Sequence, residues 1–166
     1  ALSTTQLQAF ASANIAALTT TQAGALTSAQ VATLDSAELN SFSTAEIAAI
    51  NVAALSGISS TTLASLSTAN FAALSAAQIA KLSTTQIGAV TSAQADVMTT
   101  GQIAGLTAAQ VKTITTTALS ALDTTQVAAF APTLIAALTT DQLQSLNSGN
   151  IAALTSSQVA ALSSAQ

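Results

Sequence analysis

Leu154-Thr155-Ser156-Ser157-Gln158-Val159-Ala160-Ala161 is a single octapeptide, and nearly every other stretch of the chain is a variation on it in unbroken phase. With Leu2 as position one, the first positions run through Phe10, Leu18, Leu26, Leu34, Phe42, Ile50 and onward in steps of eight to Leu162, and all are large and apolar. Position six forms a second apolar column, from Leu7 and Ile15 to Ile151 and Val159, reduced only at Ala23 and Ala95. Residues 1–166 therefore read as one octapeptide-repeat unit of about twenty in-phase repeats, without an insertion or deletion. The stretch Ile50 to Gly57 is a divergent octad and not a domain boundary, because Ile50 and Leu55 keep both columns.

Position two is Ser, Thr, Asp or Asn in all octads but those of Ala11 and Ala131. A short side-chain oxygen there accepts from the free N–H groups of a helix's first turn, so these residues predict helix N-caps. Three residues on comes Gln or Glu in most octads, as in Ser83 to Gln86 and Ser43 to Glu46, which is the spacing of a reciprocal capping box. The two apolar columns then fall at N′ and N4, the pair that packs across a helix start as a hydrophobic staple. Pro132, the one proline, lands at N1, where a missing N–H and a fixed φ are tolerated.

Each octad thus predicts a helical segment of about six residues, re-capped and redirected at every repeat. Apolar positions spaced alternately five and three apart do not hold one stripe of a continuous helix. Segments this short are unstable alone and must stack, so the expected fold is all-α, a solenoid of very short helices with both columns facing an axial core. Two or three octads to a coil both satisfy the pattern. The alternative is a β-solenoid, since Thr, Val and Ile suit strands and short-period arrays form parallel β-helices. Abundant Ala and Gln and the cap chemistry favour helix, and the Ala, Gly24, Gly57 and Gly105 at positions seven and eight suit close approach of neighbouring segments.

Composition excludes several functions. Aromatic residues are 2% and charged residues 5%, and the net charge of −4 comes from six scattered acids against Lys81 and Lys112. No nucleic acid is an expected partner, because phosphate recognition needs clustered cations. No apolar run approaches the eighteen residues of a membrane span. With neither His nor Cys, and hydroxyls lacking a base, the chain is not expected to be an enzyme: no catalytic, cofactor-binding or metal residue is assigned, and neither cofactor nor small-molecule substrate is expected.

The candidates for chemistry all have structural roles available. Glu38 and Glu46 share position five in adjacent octads and could form a carboxylate pair, but capping-box duty accounts for both. Asp35 and Asp123 sit at caps, and Phe10, Phe42, Phe71 and Phe130 lie in the apolar columns. Lys81 and Lys112 read as solvated charges. Ser and Thr at positions two to four would form rows of hydroxyls on stacking, able to order water or ice or to carry sugars. Ser156 and Ser157 mark the two positions of the octad left without a structural duty.

Octads such as Leu18-Thr19-Thr20-Thr21-Gln22, Leu82-Ser83-Thr84-Thr85-Gln86-Ile87 and Leu154 to Ala161 resemble the Ala/Thr/Gln-rich short repeats of very large bacterial secreted or surface proteins of the adhesin or haemolysin-like kind. The resemblance covers the whole chain and rests on repeat style, so it carries over no functional residue. It implies an extracellular or cell-surface setting in bacteria, with the array serving as stalk, fibre or surface-layer element. Self-association is the expected partnership, through open solenoid ends or a weakly charged surface. A start at Ala1 without Met and a stop at Gln166 within an octad suggest a segment of a longer array.

Overall fold

A computed structural model describes residues 3–10 and 12–166; Leu2 and Ala11, with their places in the octad pattern, lie outside the described residues. Among the described residues there are nineteen α-helices of four to six residues, from Thr4–Gln8 to Ser156–Ala160, and one 3-10 helix, Ala54–Gly57, but no strand. The helical solenoid is the observed architecture, and the β-solenoid is not.

The local reason is the cap. In every α-helix preceded by Ser, Thr, Asp or Asn at position two, that side chain accepts the N–H of the residue three further on. Ser83 is representative: extended at φ −68° and ψ 161°, it accepts the Gln86 N–H at 3.1 Å, while the Gln86 side chain accepts the Ser83 N–H at 2.7 Å. Termination needs no left-handed residue, since among the described residues no glycine or other residue has positive φ. Instead the first-position N–H donates back to the position-six carbonyl, as from Val90 to Ile87 at 3.1 Å, and the chain passes extended into the next cap. Ala131 caps nothing, and Pro132 at N1 starts that helix without a side-chain bond.

Helix packing counts the coil. Every well-packed pair of segments lies three octads apart, as Ala76–Lys81 lies on Thr100–Ala104 and Ser92–Asp96 on Thr116–Ser120. One coil is therefore three octads, or 24 residues, and the solenoid is three-sided. Both apolar columns line its axis: Leu55, Leu63, Phe71, Ile79 and Ile103 are fully enclosed, and the first-position residues between them are buried. Ala95 interrupts the second column, and beside it Ile87, Met98, Ile103 and Ile114 line an apolar void of about 10 Å³, roughly the room of one water and with no polar wall to hold it.

The divergent octad departs from the sequence expectation. Asn51 does not cap an α-helix; its Oδ1 accepts the Ala53 N–H at 2.9 Å, two residues on, and the helix begins only at Ala54 as a 3-10 turn. The lack of Gln or Glu at Ala54 does not by itself account for this, since Thr115 caps Thr116–Ser120 with Ala118 at position five; the local turn that Asn51 closes onto the Ala53 N–H takes the place of the cap. Close approach accompanies it: a Cβ on Gly57 would overlap the Ser28 carbonyl of the coil below. Gly24 and Gly105 are similarly tight, with a Cβ reaching 2.9 Å from the Ala49 oxygen and 2.8 Å from the Ala76 oxygen. The small residues at positions seven and eight thus let one coil's backbone rest on another's.

Candidate functional site

The most constrained side chains in the molecule are the position-five amides at the corners. Gln78, Gln94, Gln102 and Gln158 are each 1% exposed, although their own octads need them only for the capping box. Stacking gives them a second task. Gln78 Nε2 donates to the Ile50 carbonyl at 2.8 Å and the Ile47 carbonyl at 3.2 Å, which belong to the corner one coil below. Gln86 reaches Leu55 and Ile58, Gln110 reaches Ile79 and Leu82, and Gln142 reaches Val111 and Ile114, always 31 and 28 residues back.

One side chain therefore closes two gaps. Oε1 satisfies an N-terminal N–H of its own helix, and Nε2 satisfies the C-terminal carbonyls of the helix end beneath. The shorter Asn70 closes no box and keeps only the second bond, donating to the Leu39 and Phe42 carbonyls at 3.2 Å. The result is a ladder of buried amides up the corners, and no buried side-chain polar atom among the described residues lacks a partner. Sequence reasoning assigned only the box. A usable signal was present: a box is closed equally well by Glu, yet position five is Gln in twelve octads and Glu in two, and only an amide can also donate.

The acidic candidates stay apart. Glu38 and Glu46 occupy successive corners and do not stack, because stacking partners are three octads distant. Each closes its own box, Glu38 Oε2 accepting the Asp35 N–H at 2.9 Å and Glu46 Oε2 the Ser43 N–H at 2.7 Å. Asp35 and Asp123 cap their helices at 2.8 and 2.7 Å. No group of three potential metal-ligating residues forms among the described residues. Phe42, Phe71 and Phe130 are core, with Phe10 half-buried against it, and Lys81 and Lys112 are exposed. Among the described residues no helix is long and apolar enough to cross a membrane.

Three-fold coiling also sorts the hydroxyls onto three sides, which a one-dimensional reading treats alike. One side carries Ser or Thr at both positions two and three in every coil: Thr19-Thr20, Ser43-Thr44, Ser67-Thr68, Thr91-Ser92, Thr115-Thr116, Thr139-Thr140 and Ser163-Ser164, all exposed. The position-three hydroxyls of this row make no hydrogen bond within the protein. The side bearing Ser156 and Ser157 is broken by Ala108 and Pro132, and the third by Val52 and Ala76.

Residues 1–36 and 135–166 match the family model of the ALTTAQ repeat. Its six letters read onto this octad as the last residue of one repeat followed by staple, cap, N1, N2 and box residue, as in Ala25-Leu26-Thr27-Ser28-Ala29-Gln30. The stretch between the two matches keeps the same register and the same three-octad coil. No curated protein and no solved structure matches the chain.

Proposed function

We propose that this protein is a non-catalytic structural module, a rod-like spacer or stalk that also serves as a building unit of a fibre or surface layer in an extracellular bacterial setting. The observation that carries the reading is the continuity of the stack: one apolar axis runs through successive coils, and amide bonds join coil to coil at all three corners, interrupted at Glu38, Glu46, Ala54, Thr62, Ala118 and Leu134. Such a device sets length, because every 24 residues add one layer. Stacked helices lie about 9 Å apart, so seven coils span roughly 60 Å.

Length is also the test. A dye pair placed at Ser3 and Ser163 should report a separation that falls by one layer, about 9 Å, when residues 82–105 are deleted as a whole coil. Small-angle scattering should give an asymmetric distance distribution and a radius of gyration clearly above the roughly 15 Å of a compact chain of this size. A compact particle, or a separation indifferent to the deletion, rejects the spacer.

A second reading is favoured by the unbroken double row from Thr19-Thr20 to Ser163-Ser164. A periodic, unpaired hydroxyl surface is suited to ordering water or ice, or to bearing O-linked sugars. Thermal hysteresis and ice shaping at micromolar protein, abolished by Thr68→Lys and Thr116→Lys, would support the water-ordering form; their absence in the unmodified protein removes it.

A further inference from the structure

The divergent octad leaves an opening in the side of the column. Ala54 stands where other corners have an amide, and the carbonyls such an amide would reach, 31 and 28 residues back, are those of Ala23 and Leu26. The Leu26 carbonyl accepts no hydrogen bond from a described residue, whereas the equivalent Leu82 and Met98 carbonyls each receive a glutamine at 2.7 Å. In place of the amide lies a groove of about 450 Å³ between Leu26, Thr27, Asn51 and Ala54. This opening is interior to the array, with coils stacked both above and below it.

A second groove, of about 470 Å³, lies on the other flank of the same 3-10 turn and is lined by Asn51, Val52, Ala53, Ser56 and Lys81. Asn51 and Ala53 border both grooves, so the two meet at the exposed turn. The upper groove is supplied with donors. Asn51 commits Oδ1 to the Ala53 N–H and leaves Nδ2 without an acceptor, and Lys81 pairs with no described carboxylate. No acidic residue lines either groove. The floor is firm, because Gly57 brings the turn's backbone against the Ser28 carbonyl.

We propose that this double groove holds an extended acidic peptide of a partner protein, with a main-chain N–H donating to the Leu26 carbonyl and a carboxylate held by Lys81 and Asn51. Three observations select that occupant. The lower groove offers an acceptor and the upper one a cation and an amide donor, which suits a chain carrying both N–H groups and a carboxylate. Leu26 and Lys81 lie two coils apart, about 18 Å along the axis. An extended chain of about five or six residues covers that span. The walls present no aromatic ring on which a sugar face could stack, so an acidic sugar is the poorer fit. The contact goes beyond the spacer reading: it gives the rod one partner at one fixed height.

Backbone amide shifts of the 166-residue protein, followed by NMR during titration with the blocked peptide acetyl-Ala-Gly-Ala-Gly-Ala-Asp-amide, test this. Saturable shifts centred on residues 24–28, 51–56 and 81 are expected. Lys81→Gln, an exposed change that leaves the fold intact, should weaken binding about tenfold. Asn51→Asp keeps the oxygen that accepts the Ala53 N–H but removes the donor, and should weaken it by a similar factor. Lys112→Gln removes the same charge from another side of the column and should bind like wild type. Exchanging the peptide's aspartate for asparagine should cost the wild type about tenfold and cost the Lys81→Gln protein nothing more. Absence of saturable shifts at millimolar peptide, equal affinity for the asparagine peptide, or undiminished binding by Lys81→Gln overturns the proposal. Galacturonate producing the same shifts at equal or lower concentration overturns it as well, since the groove would then select an acidic sugar.

Discussion

Residues 74–113 and residues 34–65 have the same octads and differ in whether the corners are laddered. In the first region position five is Gln78, Gln86, Gln94, Gln102 and Gln110, and every one bonds the coil below. In the second it is Glu38, Glu46, Ala54 and Thr62, and none does. The capping box survives at Glu38 and Glu46, so helix initiation and coil stacking are separable functions of one position. Where the ladder lapses, other devices join the coils: Gly57 rests on Ser28, and Asn40 donates to the Ser65 carbonyl at 2.8 Å while accepting the Ser67 N–H at 2.7 Å. A solenoid tolerates such substitutions locally because each coil needs contacts only with its neighbours.

The comparison can be broken most forcefully at Gln102. Gln102→Glu keeps the box oxygen but sets a carboxylate against the Phe71, Ala72 and Leu74 carbonyls in a buried corner, and should cost about 3 kcal/mol or more by chemical denaturation. The same change at the exposed Gln22 should be near neutral; equal losses at the two sites would mean that the box, and not the ladder, is what Gln102 supplies. Next in size is Gly57→Ala, which forces apart the backbones that replace the ladder. A loss of about 2 kcal/mol is expected there, since the obstacle is the Ser28 carbonyl and not a movable side chain.

Capping should not distinguish the regions. Thr107→Ala and Ser43→Ala each remove one N-cap and should each cost about 1 kcal/mol, read as a shift in urea midpoint. The smallest effect sharpens the comparison in the favourable direction. Glu46→Gln restores a donor opposite the Ile15 and Leu18 carbonyls, 31 and 28 residues back, and should stabilise by about 0.5–1 kcal/mol. A neutral or destabilising result would show that this corner is shaped for a carboxylate.

Much of this architecture was legible from single octads. Leu82, Ser83, Gln86 and Ile87 announce staple, cap and box within six residues, because helix initiation is a local event whose donors and acceptors are near in sequence. Other features were not legible. Nothing in one octad states that three make a coil, so the second bond of Gln86, to Leu55 and Ile58, had no address in the sequence. The proximity suggested for Glu38 and Glu46 failed for the same reason, since neighbours along the chain are placed on different sides. The Asn51 cap failed because its side chain closes a shorter turn, onto the Ala53 N–H, and the helix begins only at Ala54.

Side-chain periodicity and cap chemistry alone determined that the chain is a regular array of very short helices with two buried columns, since those properties depend on interactions spanning eight residues or fewer. Only the tertiary structure decided the three-sided coil, the corner ladder and the unbroken hydroxyl row. Each of those depends on which octads the turn angle brings into contact, and that angle comes from packing coil against coil across 24 residues.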